Sequence, residues 1–364
     1  MVDNQNNEFN PNYIIPPGDT IQELLDHYDM SQVELAERTG RSAKNINEII
    51  KGKAPITQET AIEFESVFGV SAEFWNNLES NYRHLLAKKK HEDDLNDDIS
   101  HLKQFPLKFM IQNNWIKECS NKTLQLQEVL NFFGVASFEA WKNVWKETFS
   151  QPDAAFRQSE AFPANAESVA AWLRKGEIEA LQKQYPPYNE KLFKETLKEI
   201  RKLTDEDPAL FLPKLTDLCG KAGVVFLLIP DPPKSRVSGA ATWVGKKPII
   251  QLCFRHGTND HFWFSFFHEA AHILKHSKKT TFLEYSDNRD QLEEEANAFA
   301  AQTLIPQRSY SNFTAKEDFS ESAIIDFSHK VGISPGCVLG RLQRDGYVKY
   351  PTKLNKLKKS YKWN

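Results

Sequence analysis

Residues 262–276 read FWFSFFHEAAHILKH, which sets His268, Glu269, His272 and His276 in an otherwise apolar stretch. Polar and charged side chains on such a helix are costly to bury unless something meets them. His268 and His272 are four residues apart, so they stack on one helix face where both rings can reach one ion. Glu269 lies about 100° round from His268, near enough to act on a water at that ion without ligating it. This is H-E-x-x-H, and its chemistry is metal-assisted hydrolysis. Neutral imidazoles suit Zn²⁺, an open vertex admits water, and the carboxylate takes the water's proton and later delivers it to a leaving amine. A helix with these residues on an exposed polar edge is the bland alternative.

A catalytic zinc wants a third protein ligand, and RDQLEEEANAFAAQTLIP offers three adjacent glutamates. The stripe Leu292, Glu295, Ala296, Phe299 and Ala300 has helical spacing, which turns Glu295 inward, Glu293 away, and leaves Glu294 on the flank. Glu295 is therefore the expected ligand. His276 lies about 12 Å along the axis from His268 and is read as a helix-end residue supporting the site, or as a fourth ligand if the zinc is structural. An oxyanion donor is also required, and Arg255, His256, His261 and Tyr285 remain open as candidates.

The elements that must position these residues change character along the chain. Before residue 206 the apolar spacing is helical, as in ESVAAWLRKGEIEALQKQ and NEKLFKETLKEIRKL. Then GVVFLLIP, VSGAATWVG and KPIIQLCF read as three strands. Breaks fall at the charge run 86–103, a solvated helix or a linker, and at the Pro-rich stretch 150–168. With 364 residues, 26% of them charged, and a net charge of −3, the totals point to a globular chain with room for two or three domains. No apolar run is long enough to cross a membrane, the N-terminus has no secretory pattern, and the four cysteines form no CxxC pair, so a cytoplasmic protein with reduced thiols is expected.

Residues 30–55, MSQVELAERTGRSAKNINEIIKGKAP, have a helix-turn-helix layout. Ser31 and Ser42 are placed to cap two short helices and Gly40 to make the turn between them. Val33, Leu35, Ala36, Ile46, Ile49 and Ile50 should face inward, with Lys44, Asn47 and Lys51 outward. Residues 20–85 hold eleven acids against six bases, yet 38–53 hold five bases against one acid, a basic stripe on an acidic body. Such a face suits phosphates and base edges in a major groove. Pro17-Gly18, Ser31-Gln32, IIKGKAPIT and FWNNLE resemble the XRE-type DNA-binding domain of HigA-like antitoxins. The resemblance implies operator DNA as a partner, Gln32, Ser42, Lys44, Asn45 and Asn47 as contacts beside Lys51, and a homodimer.

A second resemblance covers roughly residues 150–350. The strand segments, FSFFHEAAHILKH, EEEANAFAAQTLIP and VGISPGCVLGRLQRDGYV are similar to the ImmA/IrrE zinc metallopeptidases. It implies His268, His272 and Glu295 as Zn²⁺ ligands, Glu269 as general base, and an XRE-type repressor as the protein substrate; a toxin and this chain itself are the other candidate substrates. The helix is richer in phenylalanine than the usual F-T-L-A-H-E lead-in. The expected fold class is α+β, mostly α: a disordered start (1–15), a five-helix XRE-type domain (16–88), a linker or helix (89–125), a helical region (126–205), a minimal zincin-like domain with a small β-sheet (206–312), and a C-terminal helical segment (313–364). GISPGCVLGRLQRDG should pack on the zincin core. The basic tail KYPTKLNKLKKSYKWN could meet DNA phosphates or an acidic partner, or stay solvated. The expected function is a DNA-bound regulator fused to a metallo-endopeptidase; the alternative is an antitoxin or autorepressor whose zincin half only binds or senses.

Overall fold

Four hydroxyl residues and one proline start the helices of the N-terminal unit. The computed structural model describes residues 14–146, 156–158, 165–276 and 289–363, divided into units 1–99 and 100–364. Helix α1 (Pro17–His27) opens with Pro17 in its first turn, where no N–H is needed. Helices α2 (Gln32–Thr39), α3 (Ala43–Ile50), α4 (Gln58–Phe68) and α5 (Ala72–Asp98) follow. Each is capped by a hydroxyl: Ser31, Ser42, Thr57 and Ser71 accept from the N–H of Glu34, Asn45, Thr60 and Phe74 at 3.1–3.3 Å.

The apolar faces of these five helices close over Ile21, Leu25, Leu35, Ile46, Ile49, Phe64, Phe68 and Trp75. Gly18 lets α1 approach the end of α3, because a Cβ there would lie 1.8 Å from the Ile50 carbonyl oxygen. Val33, expected inward, is 58% exposed. The buried face of α2 is Leu35, Ala36 and Thr39, and Val33 lies about 110° round from it. The charge run is helical through Asp98, so the last helix of this unit passes the expected boundary at residue 88 without a break.

The second unit begins with helices α6 (Leu107–Gln112), α7 (Lys122–Phe133) and the short α8 (Phe138–Trp141). Strand β1 (Phe156–Gln158) lies in the stretch read as a break. After it come α9 (Ala166–Gln182), α10 (Glu190–Arg201) and α11 (Pro208–Lys221). The three predicted strands are β2 (Val225–Leu228), β3 (Val237–Val244) and β4 (Lys247–Leu252). Four strands thus form one sheet in the order β1-β3-β4-β2, with β2 parallel to β4 and β3 antiparallel to both its neighbours. Gly245, at φ 60°, makes the two-residue turn between β3 and β4.

Alternation along the strands gives the sheet two buried faces. Gln251 on β4 faces α9, where its Nε2 donates to the Trp172 carbonyl at 2.8 Å and its amide occupies the space left by Gly176. Ile250 and Leu252 face the other way, into a core with Phe262, Trp263, Phe266 and Phe267 of α12 (Asn259–Lys275). Helix α13 (Arg289–Leu304) packs on α12. Helices α14 (Gln307–Thr314), α15 (Glu321–Val331) and α16 (Pro335–Arg344) complete the layer.

The helix-turn-helix-like C-terminal pair α15–α16 contributes Ile324, Phe327, Val338, Leu339 and Leu342 to the core around α12. The basic tail also belongs to this domain. Ser360 bridges to Thr258, Tyr361 is buried, and Lys358 pairs with Asp260 at 2.7 Å with both side chains under 10% exposed. The free tail considered from the sequence is therefore corrected: Asp260 needs a buried cation, and Lys358 supplies it. No helix among the described residues is long and apolar enough to cross a membrane.

Replacing Gly18 with Ala forces α1 away from the Ile50 backbone, which is overpacking without a flexible side chain to absorb it. The full chain carrying Gly18→Ala should lose about 1–3 kcal/mol of N-terminal-unit stability. Hydrogen exchange resolved by peptide should show this loss in residues 17–68 and leave the sheet unaffected.

Candidate functional site

The two histidines and one glutamate converge. The Nε2 atoms of His268 and His272 are 3.1 Å apart. Glu293, from α13, places its Oε2 3.1 Å from the first and its Oε1 3.4 Å from the second. His268 and His272 are buried and Glu293 is half-buried. Ligand atoms on a tetrahedral ion with bonds of about 2.0–2.1 Å sit roughly 3.3–3.4 Å from one another, so the spacing fits such an ion closely. The chemistry fits too. Burial, with the neighbouring His268, pushes the His272 imidazole down to about 3, so at neutral pH it presents a lone pair.

Glu295 is not the residue that meets the histidines. Its Oε2 lies 3.9 Å from His276 Nε2, its Oε1 accepts from Gln291, and its side chain is 43% exposed. The correction has a packing cause. The inward stripe of α13 is Glu293, Ala296, Asn297, Ala300, Ala301 and Leu304, because alanines let the helix lie close against α12. Phe299, which the sequence reading used to orient the helix, is only half-buried and carries Lys275 Nζ over its ring at 5.6 Å.

Each ring nitrogen on the far side of the site has a partner. His268 Nδ1 lies 3.1 Å from Asn297 Oδ1, and His272 Nδ1 lies 2.7 Å from His276 Nδ1. A proton on each Nδ1, donated outward, leaves each Nε2 free to ligate. His276 thus stands behind His272 at the helix C-cap, as a supporting residue, and does not add a fourth ligand. Asn297 was missed from the sequence, although it falls one turn after Glu293 and so shares its face.

Glu269 is 1% exposed and lies over Gly239 of β3, where a Cβ would come within 2.8 Å of its Oε1. That glycine makes room for the carboxylate between helix and strand. Of the oxyanion candidates, Arg255 pairs with Asp231 at 3.8 Å. His256 stacks on His261 with centroids 4.5 Å apart and reaches Ser238 Oγ at 3.1 Å. His261 is seven residues, about 10.5 Å along the axis, before His268. Among the described residues, neither histidine belongs to the cluster of His268, His272 and Glu293. Tyr285 lies outside the described residues.

In the N-terminal unit the predicted contacts gather on one side of α2 and α3. Asn47 Nδ2 donates to Gln32 Oε1 at 3.1 Å, and Gln32 Nε2 to Gln22 Oε1 at 3.5 Å, which orients both amides. Ser42 accepts the cap bond and keeps its O–H to donate, and Asn45 Oδ1 accepts from Arg41 at 3.5 Å. Lys44 and Lys51 are exposed. Arg41, counted in the basic stripe, is instead tied to Glu63 on α4, and Arg38 pairs with Glu34. The stripe is therefore less basic than its residue count.

Comparison with known proteins divides the chain in the same way. Residues 222–343 match the family model of the M78 peptidases' IrrE N-terminal-like domain. Residues 21–75 match that of the helix-turn-helix. The uncharacterized HTH-type transcriptional regulator YddM of Escherichia coli strain K12 is 36% identical over 73 residues, which is 20% of this chain and 78% of that protein. Among solved structures, the Pseudomonas aeruginosa antitoxin HigA with the higBA promoter is 33% identical, spanning 21% of this chain and 86% of that one, with a TM-score of 0.21. An addiction module antidote protein of a HigA family from Coxiella burnetii is 30% identical over 23% and 92% of the two chains, with a TM-score of 0.22.

Zinc titration against a competing chelator separates the two glutamates. Glu293→Ala should weaken binding by more than about 100-fold, and Asn297→Ala by about 10–100-fold. Glu295→Ala should change it less than about threefold, since its carboxylate faces His276 and solvent. Equal losses for Glu293→Ala and Glu295→Ala would remove Glu293 from the ligand set.

Proposed function

Because the chain belongs to the helix-turn-helix regulators through residues 21–75 and carries an IrrE N-terminal-like domain in residues 222–343, we propose that it is a DNA-binding regulator fused to a zinc-dependent metallo-endopeptidase. The observation that carries the peptidase half is the convergence of His268, His272 and Glu293, with ligand atoms all within 4.8 Å, beside the buried Glu269. His268, His272 and Glu293 would hold the ion. A bound Zn²⁺ would supply Lewis-acid polarisation of the scissile carbonyl and lower the pKa of the attacking water.

The chain's own residues do the rest. Asn297 and His276 hold the two imidazoles by their Nδ1 atoms, so the ligating nitrogens stay aimed. Glu269, on the next residue round the helix from His268, is not among the converging ligand groups and would take the proton of the attacking water. It then returns that proton to the leaving amine nitrogen. Gly239 fixes where the carboxylate sits. The substrate is a protein, with an XRE-type repressor or a toxin encoded nearby as the reading to test first.

The helix-turn-helix family match and the Escherichia coli regulator support operator DNA as the partner of the first unit. Gln32 and Asn47, oriented by their mutual hydrogen bond, would read base edges, and Lys44 and Lys51 would meet phosphates. Arg38 adds to this because its exposed pair with Glu34 is worth at most about 1 kcal/mol and exchanges readily for a phosphate. Two copies of the chain would bind a palindromic site.

Two variants test the two halves. Glu269→Gln should keep zinc and fold while lowering cleavage of the substrate protein by about 10²–10⁴-fold, read by mass spectrometry of the products. Wild-type cleavage by Glu269→Gln would sink the peptidase reading and leave a zinc-holding binding platform. Lys51→Ala should weaken binding to every duplex alike and reduce the salt slope by about one, whereas Asn47→Ala should relax preference at one base position. Unchanged binding in both would remove this face as the DNA reader.

A further inference from the structure

A cavity of about 250 Å³ lies between α12, α13 and α16, one helical turn from the metal ligands. Its position follows from the two helix faces that build the metal centre. On α12 the sequence of turns runs His272, His268, Phe264, and on α13 it runs Glu293, Asn297, Ala301. The Phe264 ring centre is 6.3 Å from that of His268. Phe264 and Ala301 both line the cavity, on the side of His268 that holds Asn297 rather than Glu293.

The lining has two characters. Phe264, Ala301, Leu304, Ile305 and Cys337 form an apolar floor. Cations stand at the mouth. Arg344 ends α16 and holds its guanidinium carbon over the Phe264 ring, 4.5 Å from its centre. Arg341, one turn earlier, is held by Asp345 at 2.7 Å, which leaves that acid engaged. Asp260, the acid within the cavity, is neutralised by Lys358 at 2.7 Å. Among the described residues Arg344 makes no ion pair, and partial burial beside Arg341 pulls its guanidinium below the ordinary value. An anion there would relieve a crowded cation.

We propose that this cavity binds a small monocarboxylate with an aromatic or aliphatic body, the body on Phe264 and Leu304 and the carboxylate on Arg344. A guanidinium already held over an aromatic ring is pre-organised to take a carboxylate on its remaining N–H groups. The apolar floor takes the rest, as is usual for a small-molecule site with few polar groups. The volume admits a body of roughly ten heavy atoms, which sets affinity on the order of 1 mM for a simple probe. This goes beyond the peptidase reading and does not depend on it.

The test is calorimetric titration of the full chain with hydrocinnamate and with hydrocinnamamide, its uncharged counterpart. Hydrocinnamate should bind at one site with a dissociation constant of about 1 mM or tighter, and the amide at least about tenfold more weakly. Arg344→Met, which keeps a long stem over Phe264, should weaken hydrocinnamate at least about tenfold. Arg341→Met should change it less than about threefold, because Arg341 is committed to Asp345. No saturable binding of hydrocinnamate below about 10 mM, equal binding of acid and amide, or unchanged affinity in Arg344→Met would each overturn the proposal.

Discussion

The close contact between α12 and the alanine face of α13 is the constraint on which the candidate metal site depends. Ala271 on α12 and Ala296 and Ala300 on α13 are fully buried. Without bulky side chains between them the helix axes approach until Glu293 reaches both imidazoles at 3.1 and 3.4 Å. The same approach brings Asn297 to His268. A larger residue at any of these alanines would separate ligand from ligand before it disturbed either helix internally. The packing of apolar methyl groups thus sets the geometry of a polar site.

The sheet and the C-terminal helices hold α12 in the orientation this contact needs. Phe262, Trp263, Phe266 and Phe267 are all buried, so aromatic surface from two successive turns presses on strands and helices around it. Gly239, Gly336 and Gly340 each stand where a Cβ would collide with a side chain of α12: Glu269, Asn259 and Asp260 respectively. Small residues on its neighbours mark where α12 carries its polar groups. The phenylalanine-rich lead-in that distinguished this helix in the sequence is used for packing, and the histidines remain on the face that meets α13.

The N-terminal unit shows the same separation between pattern and contact. Its capping serines and Gly40 were readable one residue at a time, since a cap is a local hydrogen bond. Its charge was not. Arg41 counts as part of a basic stripe in the sequence but is tied to Glu63, twenty-two positions on. Gln32 and Asn47 pair across fifteen residues, and nothing local announces that bond.

What the sequence by itself determined was local chemistry: H-E-x-x-H on one helix, two histidines on one face, the helix-turn-helix caps, and three strands after residue 206. Each rests on spacing along a single element, which helical or strand geometry converts directly into direction. Tertiary structure decided which glutamate joined them. Glu293 and Glu295 sit on one helix in near-identical surroundings of sequence, and the choice turned on whether the alanines or Phe299 faced α12. It likewise decided that the basic tail folds back, with Lys358 on Asp260. Such choices belong to the fit between elements, where close approach of small side chains outweighs the burial of one large one, and no periodicity within a single helix carries that information.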